Sequence, residues 1–384
     1  MDKLKVMTVF GTRPEAIKMA PVVLELARHP QFTPIVTVTA QHRDMLDQVL
    51  RLFNIKPDFD LDIMASNQTL FDITTRALNG LDTVLTDVQP DIVLVHGDTT
   101  TTFAGALAAY YHQIAVGHVE AGLRTGNKYS PFPEEMNRKL TGAITDLHFA
   151  PTQTSKNNLL AEHVDSGKIF VTGNTVIDAL HQTVSNHFTF DSELLAKIDY
   201  DHKRIILVTT HRRENLGEPM RHVYKALKAL TEEFTDVEVV FPVQKNPKVR
   251  ELVNAELGGL KSVHLIDPLD YEPFANLMSR AYLILTDSGG VQEEAPALGK
   301  PVLVLRDTTE RPEAVSAGTV KLIGTDRDRV FNETKLLLTD KREYDKMAQA
   351  ANPYGDGNAA TRIIDALLWH YHFTDNPPEE FAIN

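Results

Sequence analysis

Residues Ala281–Gly318, AYLILTDSGGVQEEAPALGKPVLVLRDTTERPEAVSAG, are the stretch from which the fold is predicted. AYLILT and PVLVL are short apolar runs, which is typical of strands buried in a parallel sheet. The Asp287–Gly290 turn ends the first run, and the helix that follows it should end at Gly299. A helix that begins at a Ser-Gly-Gly turn presents free N–H groups and its positive dipole end to a phosphate. Glycine turns are also common without a ligand, so the motif alone leaves both interpretations open.

The same alternation of strand, turn and helix extends through the whole chain. The predicted strands are KVMTVFG, IVTVTA, DIVLVHG, AVGHVEA, DLHFAP and KIFVTG, followed by IILVTTHRR, VEVVFPV, VHLIDP, AYLILTD and PVLVL. Strands separated by helices indicate parallel, doubly wound α/β sheets. Because 384 residues exceed one ordinary core, we predict two Rossmann-like domains, residues 1–172 and 173–360, whose sheets face a central cleft. The C-terminal helix, within about 361–384, could pack back on the first domain, and the tail after Trp369 should be a fraying end.

Composition excludes several classes of function. A net charge of −13 disfavours a nucleic-acid partner or an anionic membrane surface. The chain has no cysteine, which excludes disulfides and Cys–zinc sites and fits a reducing compartment. No apolar run approaches the ~18 residues of a membrane-spanning helix. The histidines do not have zinc-ligand spacing, so we expect no metal site.

Side chains capable of chemistry lie where the predicted strands end. These residues are Arg13, Asp98, Glu120, His211 and Ser288. Ligands of open α/β sheets bind at the carboxyl ends of the strands, so all five would point into one cleft if both sheets face it.

Most of these residues also have an ordinary structural alternative. Arg13 could pair with Glu15, and Asp98 could cap the helix that follows it. Glu120 could be a salt-bridged structural carboxylate, and Lys18 a solvated lysine.

Carboxylates and cations nevertheless fall in a pattern that suggests acid–base chemistry on a phosphate-bearing ligand. The carboxylates are Asp98, Glu120 and Glu134, and the cations are Arg13, Lys18, His211 and Arg311. Glu134 and Glu135 both begin a helix, where the dipole favours acids, so one of them should be structural. No GxGxxG follows the first strand and no Walker A motif occurs, which disfavours nicotinamide cofactors and P-loop phosphoryl transfer.

Several long segments stand in a characteristic order. They are VFGTRPEAIKMAP, TAQHR, VHGDTTTT, GHVEAGLRTG, SPFPEEMNR, TGNTVIDAL, THRRENLG, LTDSGGVQEEAP, GKPVLVLRDTTERPEA and NPYGDG. The chain thereby resembles the bacterial non-hydrolysing UDP-N-acetylglucosamine 2-epimerases over almost its whole length. The resemblance implies a glycosyltransferase-B-like fold and a cytoplasmic homodimer without a redox cofactor. It also implies interconversion of UDP-N-acetylglucosamine and UDP-N-acetylmannosamine, by anti elimination of UDP through 2-acetamidoglucal and re-addition, for cell-wall or surface-polysaccharide synthesis.

The resemblance also implies roles for individual residues. Asp98, Glu120 and Glu134 would form the acid/base set, and His211 and Arg13 would help to carry the leaving diphosphate. The remaining substrate contacts would be phosphate at Ser288, Gly289 and Gly290, ribose at Glu294, uracil at Phe274, and a charged lining from Arg311, Lys18 and Arg138. Which carboxylate removes the proton and which returns it stays open.

Many members of this family are activated by a second substrate molecule, and the chain departs from the motifs that the resemblance assigns to that site. The candidate residues are Gln41, His42, Arg212 and Gln244. Gln244 and Lys245 stand where relatives have His and Leu. Our hypothesis is that activation by substrate is weakened or altered.

Three alternatives share the predicted fold. A hydrolysing epimerase would release free N-acetylmannosamine and UDP, and a glycosyltransferase would move the sugar to an acceptor. A non-catalytic sensor would bind the nucleotide sugar without turnover, which the three-carboxylate set disfavours.

Overall fold

The computed structural model describes residues 3–41, 43–212 and 215–383. The chain divides into two compact units: Met1–His181 with Tyr354–Ala382, and Gln182–Pro353 with Ile383–Asn384. The division lies after the predicted boundary at residue 172, because the helix that follows KIFVTG packs mainly with the first unit.

A seven-stranded sheet forms the centre of the first unit, within the described residues. Its strands are β1 (Leu4–Phe10), β2 (Phe32–Val38), β3 (Phe59–Asp60), β4 (Ile92–His96), β5 (Ala115–Val119), β6 (Leu147–Ala150) and β7 (Ile169–Val171). They pair in the order β3-β2-β1-β4-β5-β6-β7, and every pair is parallel. The predicted parallel sheet is therefore present, with a two-residue strand, β3, that the sequence pattern did not predict.

Helices cover both faces of this sheet. They are α1 (Arg13–Arg28), α2 (Arg43–Leu52), α3 (Leu70–Val88), α4 (Thr100–Tyr111), α5 (Glu134–Ala143), α6 (Gln153–Ala161) and α7 (Thr175–Thr183). Met7 and Val9 of β1 form one core with Leu81 and Leu85 of α3 and with alanines of α4. Right-handed crossovers place α1 and α2 on the opposite face from α3 and α4, and α1 packs along β1 and β2.

The second unit repeats this plan with six strands in the described residues. They are β8 (Arg204–Thr209), β9 (Val237–Pro242), β10 (Val263–Ile266), β11 (Leu283–Thr286), β12 (Val302–Val304) and β13 (Val320–Leu322). Their order is β10-β9-β8-β11-β12-β13, again entirely parallel. The edge strand β13 has only three residues and was not predicted.

The helices of the second unit follow the same alternation. They are α8 (Glu193–Lys197), α9 (Glu218–Glu233), α10 (Pro247–Leu257), α11 (Tyr271–Arg280), α12 (Gly289–Glu294), α13 (Pro312–Ala317), α14 (Arg327–Thr339) and α15 (Lys341–Ala348). Tyr224 of α9 and Phe241 of β9 are the largest fully buried side chains of its core. As predicted, the segment after β11 is a short helix that ends at Gly299, which has a left-handed φ of 65°.

The end of the chain belongs to the first unit. Helix α16 (Ala359–His370) packs against α1. The tail beyond it is anchored and is not the fraying end that we expected. Lys156 Nζ lies 2.7 Å from Glu380 Oε1, and the Phe381 N–H donates to the carbonyl of Val171, the last residue of β7, at 2.7 Å. Both contacts place the tail along the free edge of β7.

The described helices include none that combines the length and the apolar character needed to cross a bilayer.

Candidate active site

In each sheet the strand order reverses between two neighbouring strands, β1 and β4 in the first unit and β8 and β11 in the second. Ligands of open α/β sheets bind outside the carboxyl ends of the strands at this switch point. Gly11–Arg13 and Gly97–Asp98 directly follow β1 and β4. His211 and Ser288 come two residues after β8 and β11, and Glu120 follows the next strand of the first unit, β5. The strand-end residues chosen from the sequence therefore lie at or beside the two switch points.

Arg13 begins α1 and does not pair with Glu15. The buried Glu15 carboxylate instead accepts the N–H groups of Gly11 and Thr12 at 3.1 and 2.8 Å and the Thr99 hydroxyl at 2.6 Å. The structural alternative for Arg13 is thus wrong. Within the described part of the chain, its guanidinium has no hydrogen-bond or ion-pair partner, which leaves a cation at the amino end of a long helix.

Glu120 is the most constrained of the predicted residues. Its φ of +61° is unusual for a residue with a side chain and marks a backbone that the surrounding structure holds. Its side chain is only 9% exposed and forms an ion pair with Lys18, so Lys18 is not a free surface lysine. Burial opposes ionisation, but Lys18 and His96 outweigh it and hold the pKa of Glu120 well below its usual range. Glu120 is therefore a carboxylate at neutral pH.

Asp98 follows β4 and pairs with a cation of α5. Arg138 Nη2 donates to Asp98 Oδ2 at 2.5 Å, and Asn137 Nδ2 donates to the Asp98 carbonyl at 2.9 Å. The residue that caps α4 is Thr99, whose hydroxyl accepts the Thr102 N–H at 3.1 Å, so the capping alternative for Asp98 is wrong. The Asp98 side chain remains partly exposed beside the guanidinium.

The two glutamates that begin α5 have different surroundings. Glu135 is fully buried and accepts the N–H groups of Thr125 and Gly126 at 3.0 Å each. Burial opposes its ionisation, but these two donors and Arg138 lower the pKa of Glu135. Glu134 has a buried oxygen, Oε2, without a hydrogen-bond partner among the described residues. Glu135 is therefore the structural member of the pair, and Glu134 keeps an uncommitted carboxyl oxygen.

In the second unit, Asp287 holds the segment that carries His211. Asp287 is completely buried and accepts the backbone N–H groups of His211 and Arg212, both at 2.9 Å. His211 Nδ1 lies 2.8 Å from Asp287 Oδ1 while the ring is 48% exposed. Burial disfavours the charged carboxyl, but the His211 bond and these backbone donors lower the pKa of Asp287. The ionised carboxylate fixes the ring through Nδ1 and leaves Nε2 available for a ligand.

Gly289 and Gly290 occupy the first turn of α12 with ordinary helical backbone, so the sharp glycine turn expected from the sequence is not formed. An added Cβ would come only within 4.0 Å of Arg311 Nη2 at Gly289 and 3.5 Å of Glu294 Oε1 at Gly290. Neither conformation nor crowding inside this unit requires glycine at these positions. Open space above a helix N-terminus, beside the Arg311 side chain, suits a phosphate group.

Ser288 and the acidic residues of α12 complete this end of the sheet. Ser288 is the N-cap residue of α12, and Arg311 forms an ion pair with the buried Glu293. Burial and the neighbouring Glu294 carboxyl raise the pKa of Tyr271 well above its usual value. Phe274 lies three residues further along α11, on the same side of that helix as Tyr271 and partly exposed. Ser288, Phe274, Glu294 and Arg311 thus come from three segments at one end of the second sheet.

Comparison with known proteins gives the family. The family model described as UDP-N-acetylglucosamine 2-epimerase matches residues 24–368. The UDP-N-acetylglucosamine 2-epimerase of Bacillus subtilis (strain 168) is 62% identical over 382 residues, which cover 100% of both chains. The chain belongs to the UDP-N-acetylglucosamine 2-epimerase family.

Solved structures of UDP-N-acetylglucosamine 2-epimerases have the same fold. One is 60% identical with a TM-score of 0.93 and covers 100% of each chain. Another, from Neisseria meningitidis and bound to UDP-GlcNAc, is 53% identical with a TM-score of 0.83, covering 95% of this chain and 100% of that one. The prediction of two Rossmann-like, parallel-sheet domains of the glycosyltransferase-B type is confirmed.

The residues that the sequence suggested for an epimerase activator site belong to both units. Gln41 follows β2 and lies 3.5 Å from the Thr101 hydroxyl in the first unit. Arg212 and Gln244 belong to the second unit, where Arg212 Nη2 lies 3.7 Å from Glu310 and the Gln244 carbonyl accepts from Arg250 Nε at 3.3 Å. His42 lies outside the described residues.

The sequence did not identify three polar residues that hold the segments after the strands by hydrogen bonds. Asp287 was assigned only to a turn, and Glu15 was treated only as a partner for Arg13. His118 Nε2 lies 2.7 Å from the Gly97 carbonyl, and burial lowers the pKa of His118 to about 3, so the neutral ring donates to that turn. The available signal was position: Asp287 stands at a strand end, His118 stands inside an otherwise apolar strand, and Glu15 stands in the first turn of the helix that follows β1.

Proposed function

We propose that this protein catalyses the reversible, non-hydrolysing epimerisation of UDP-N-acetylglucosamine to UDP-N-acetylmannosamine at the second carbon of the sugar. Family membership supports the substrate class, and the N. meningitidis relative binds UDP-GlcNAc. The observation that carries the proposal is the set of carboxylates at the carboxyl edge of the first sheet: Asp98 beside Arg138, Glu120 beside Lys18, and Glu134 with its uncommitted oxygen.

The second unit has the groups that a uridine diphosphate needs. We propose that Ser288, Gly289 and Gly290 bind phosphate through N–H groups at the start of α12. Glu294 would accept the ribose hydroxyls, and the exposed face of Phe274 would flank the uracil. His211, oriented by Asp287 through Nδ1, would donate from Nε2 to the diphosphate in its doubly protonated form, in which both ring nitrogens carry a proton.

We also propose roles for four cationic side chains. Arg13, which has no partner in the described residues, and Arg311 would bind diphosphate oxygens. Lys18 and Arg138 would maintain the charge of their partner carboxylates.

The reaction that these groups suit is an elimination followed by an addition. A carboxylate accepts the proton from the second carbon, the C–H electron pair forms the C1–C2 double bond, and the bond between C1 and the UDP oxygen breaks. The products, 2-acetamidoglucal and UDP, remain bound. A carboxyl group then returns a proton to the opposite face of the second carbon while the UDP oxygen adds to C1. Electrons and protons balance without any oxidant or reductant.

The three carboxyl groups have unequal suitability for proton transfer. A general acid or base must reach the proton that it transfers at hydrogen-bond distance, which a group already held by another side chain does less freely. Glu120 is held as a carboxylate by Lys18, and Asp98 is bound to Arg138. Glu134 has no such partner in the described residues, so we propose that Glu134 performs one of the two proton transfers.

Incubation with UDP-N-acetylglucosamine in deuterium oxide, followed by proton NMR, tests this function. We expect UDP-N-acetylmannosamine with deuterium at the second carbon. Free N-acetylmannosamine with UDP would instead show a hydrolysing epimerase. An unchanged substrate that still binds would show a transferase that needs an acceptor, or a sensor.

Further properties follow from the family resemblance and are part of the proposal. The protein would be a cytoplasmic homodimer whose product enters cell-wall or surface-polysaccharide synthesis. Activation by substrate would be weakened or altered by Gln244 and Lys245. Sigmoidal kinetics that Gln244→Ala abolishes would contradict the last point, and a monomeric mass in solution would contradict the dimer.

A further inference from the structure

Asn174 is a buried polar residue to which the sequence reasoning assigned no role. It lies between β7 and α7, and each of its polar groups is engaged. Its backbone N–H donates to the Tyr354 carbonyl at 2.6 Å, its Oδ1 accepts the Val176 N–H at 3.1 Å, and its Nδ2 donates to Glu120 Oε2 at 2.9 Å. Because Oδ1 must face the Val176 N–H, the orientation of the amide is determined, and only Nδ2 can face Glu120.

The Asn174 bond makes the two oxygens of Glu120 unequal. Oε2 receives both Lys18 Nζ and Asn174 Nδ2, with His96 Nε2 at 3.7 Å. Oε1 has no hydrogen-bond partner in the described residues and lies beside Gly97, where an added Cβ would be 3.8 Å away. The carboxylate is thus held at one oxygen and presents the other beside the turn that leads to Asp98.

Asn174 also lies where the chain leaves and re-enters the first unit. The unit ends its first segment at His181 and resumes at Tyr354. Besides the Asn174–Tyr354 bond, Asp178 of α7 accepts the N–H groups of Ala359 and Ala360 at the start of α16. Hydrogen bonds therefore join the segment that leaves the first unit to the segment that returns to it. Asn174 takes part in this contact and also binds Glu120.

We propose that Asn174 is a positioning residue for the reaction: it fixes Glu120 through Oε2, so that Oε1 faces the reacting sugar, and it ties this orientation to the returning chain at Tyr354. This inference rests on the proposed epimerase function. No residue of α7 donates to Glu120 in the described chain, so loss of Asn174 Nδ2 leaves Lys18 as the remaining direct donor.

Two substitutions of Asn174 remove its bond to Glu120 and keep its bonds to Val176 and Tyr354. Asn174→Asp and Asn174→Ser both keep an oxygen acceptor for the Val176 N–H and the backbone bond to Tyr354, and both remove the Nδ2 donor. Asp also places a second carboxyl against Glu120. The charged and titratable groups that face Glu120 in the described chain are otherwise Lys18 of α1 and His96 of β4. Asn332→Asp, on the exposed face of α14, is the matched control for the added charge.

We expect kcat for epimerisation to fall at least ~10-fold in both variants, as for a misplaced catalytic group, while KM changes little. We also expect the acid limb of the kcat–pH profile to move upward by about 1–3 pH units in Asn174→Asp and by less in Asn174→Ser. The Asn332→Asp control should match the parent protein. Wild-type kcat and an unshifted profile in both variants would overturn the proposal, as would equal shifts in the control.

Carboxyl ¹³C NMR of glutamate-labelled protein, with Glu120→Gln for assignment, provides a readout that does not depend on turnover. The Glu120 titration should move upward in Asn174→Asp even if the parent protein were to prove inactive as an epimerase. An unmoved Glu120 titration would overturn the positioning role, whereas an inactive parent would overturn only the proposed function. If Asn174→Asp fails to fold, Asn174→Ser gives both measurements without a buried charge.

Discussion

Glu134 and Glu135 are adjacent residues that should respond to the same substitution in opposite ways. Glu135→Gln replaces one acceptor oxygen by an NH₂ group facing the Thr125 or Gly126 N–H. We expect it to destabilise the protein by about 1–3 kcal/mol, the cost of a buried unsatisfied donor. Glu134→Gln removes only the uncommitted oxygen, so it should lower kcat by ~10²-fold or more with little effect on stability. Urea unfolding and the NMR conversion assay measure the two effects.

The difference in unfolding free energy between the parent protein and Glu135→Gln should depend on pH. The folded-state pKa of Glu135 is lowered, so its stabilisation is present above the unfolded-state pKa of about 4.3 and is lost as pH falls through the folded-state pKa. The stability gap between the parent and Glu135→Gln should therefore narrow below about pH 4. A gap that is constant with pH, or a Glu134→Gln variant with normal turnover, would contradict the assignment of roles.

At the scale of single residues, the sequence suggested candidate site residues but did not predict their ion-pair partners. Position at a strand end identified Asp98, Glu120 and His211, because the parallel-sheet pattern determines where strands end. Their partners are distant in sequence: Arg138 for Asp98, and Asp287 for His211. Such pairs depend on strand order and on side-chain directions, which a single sequence does not contain.

At the scale of elements, Asp178 should make the attachment of α16 depend on pH. Burial raises the pKa of Asp178 from 3.8 to about 6, although the Ala359 and Ala360 N–H groups oppose the shift. Between these two values the unfolded chain loses the proton and the folded chain keeps it. This stability contribution is complete below about pH 4 and is lost as pH rises through about 6.

The variant Asp178→Asn does not titrate, so it isolates this contribution. The unfolding free energy of the parent relative to Asp178→Asn should fall by up to ~3 kcal/mol between pH 4 and pH 7. Urea unfolding of both proteins across this range measures the difference, which cancels the other titrating groups. A difference that rises with pH would show that the two helix N–H donors stabilise the ionised form more than burial disfavours it.

The elements that the sequence missed are those with the weakest local signal. β3 has two residues and β13 has three, too few for an apolar run, and both are edge strands that form by pairing with a neighbour. The anchored tail was missed for a similar reason. Its order comes from the edge of β7 and from Lys156, contacts across more than two hundred residues of sequence, and not from its own polar, proline-containing composition.

At the scale of the whole molecule, UDP should stabilise the fold through its second unit. Ligand at ~100 times its Kd adds about 2.7 kcal/mol to the unfolding free energy. We expect UDP to raise the thermal midpoint and to slow hydrogen exchange in α12 and in the first turn of α11. Uridine at the same concentration is the control, since it lacks the diphosphate that α12 would bind.

If uridine stabilises the protein as much as UDP does, the proposal that Ser288, Gly289 and Gly290 bind phosphate is contradicted. Protection confined to the first unit would place the nucleotide elsewhere. Both measurements use the full chain and need no turnover.

The path of the chain through its two units has a consequence for biosynthesis. The residues of β1–β7 are synthesised before the second unit, whereas α16 and the tail, which contact α1 and the edge of β7, are synthesised after it. Gln182–Pro353 is a continuous stretch that can fold as soon as it is synthesised. The first unit must wait, with the apolar surface that α16 will cover still exposed to solvent. Nascent chains arrested before residue 354 should therefore contain a protease-resistant second unit and a first unit that depends on chaperones.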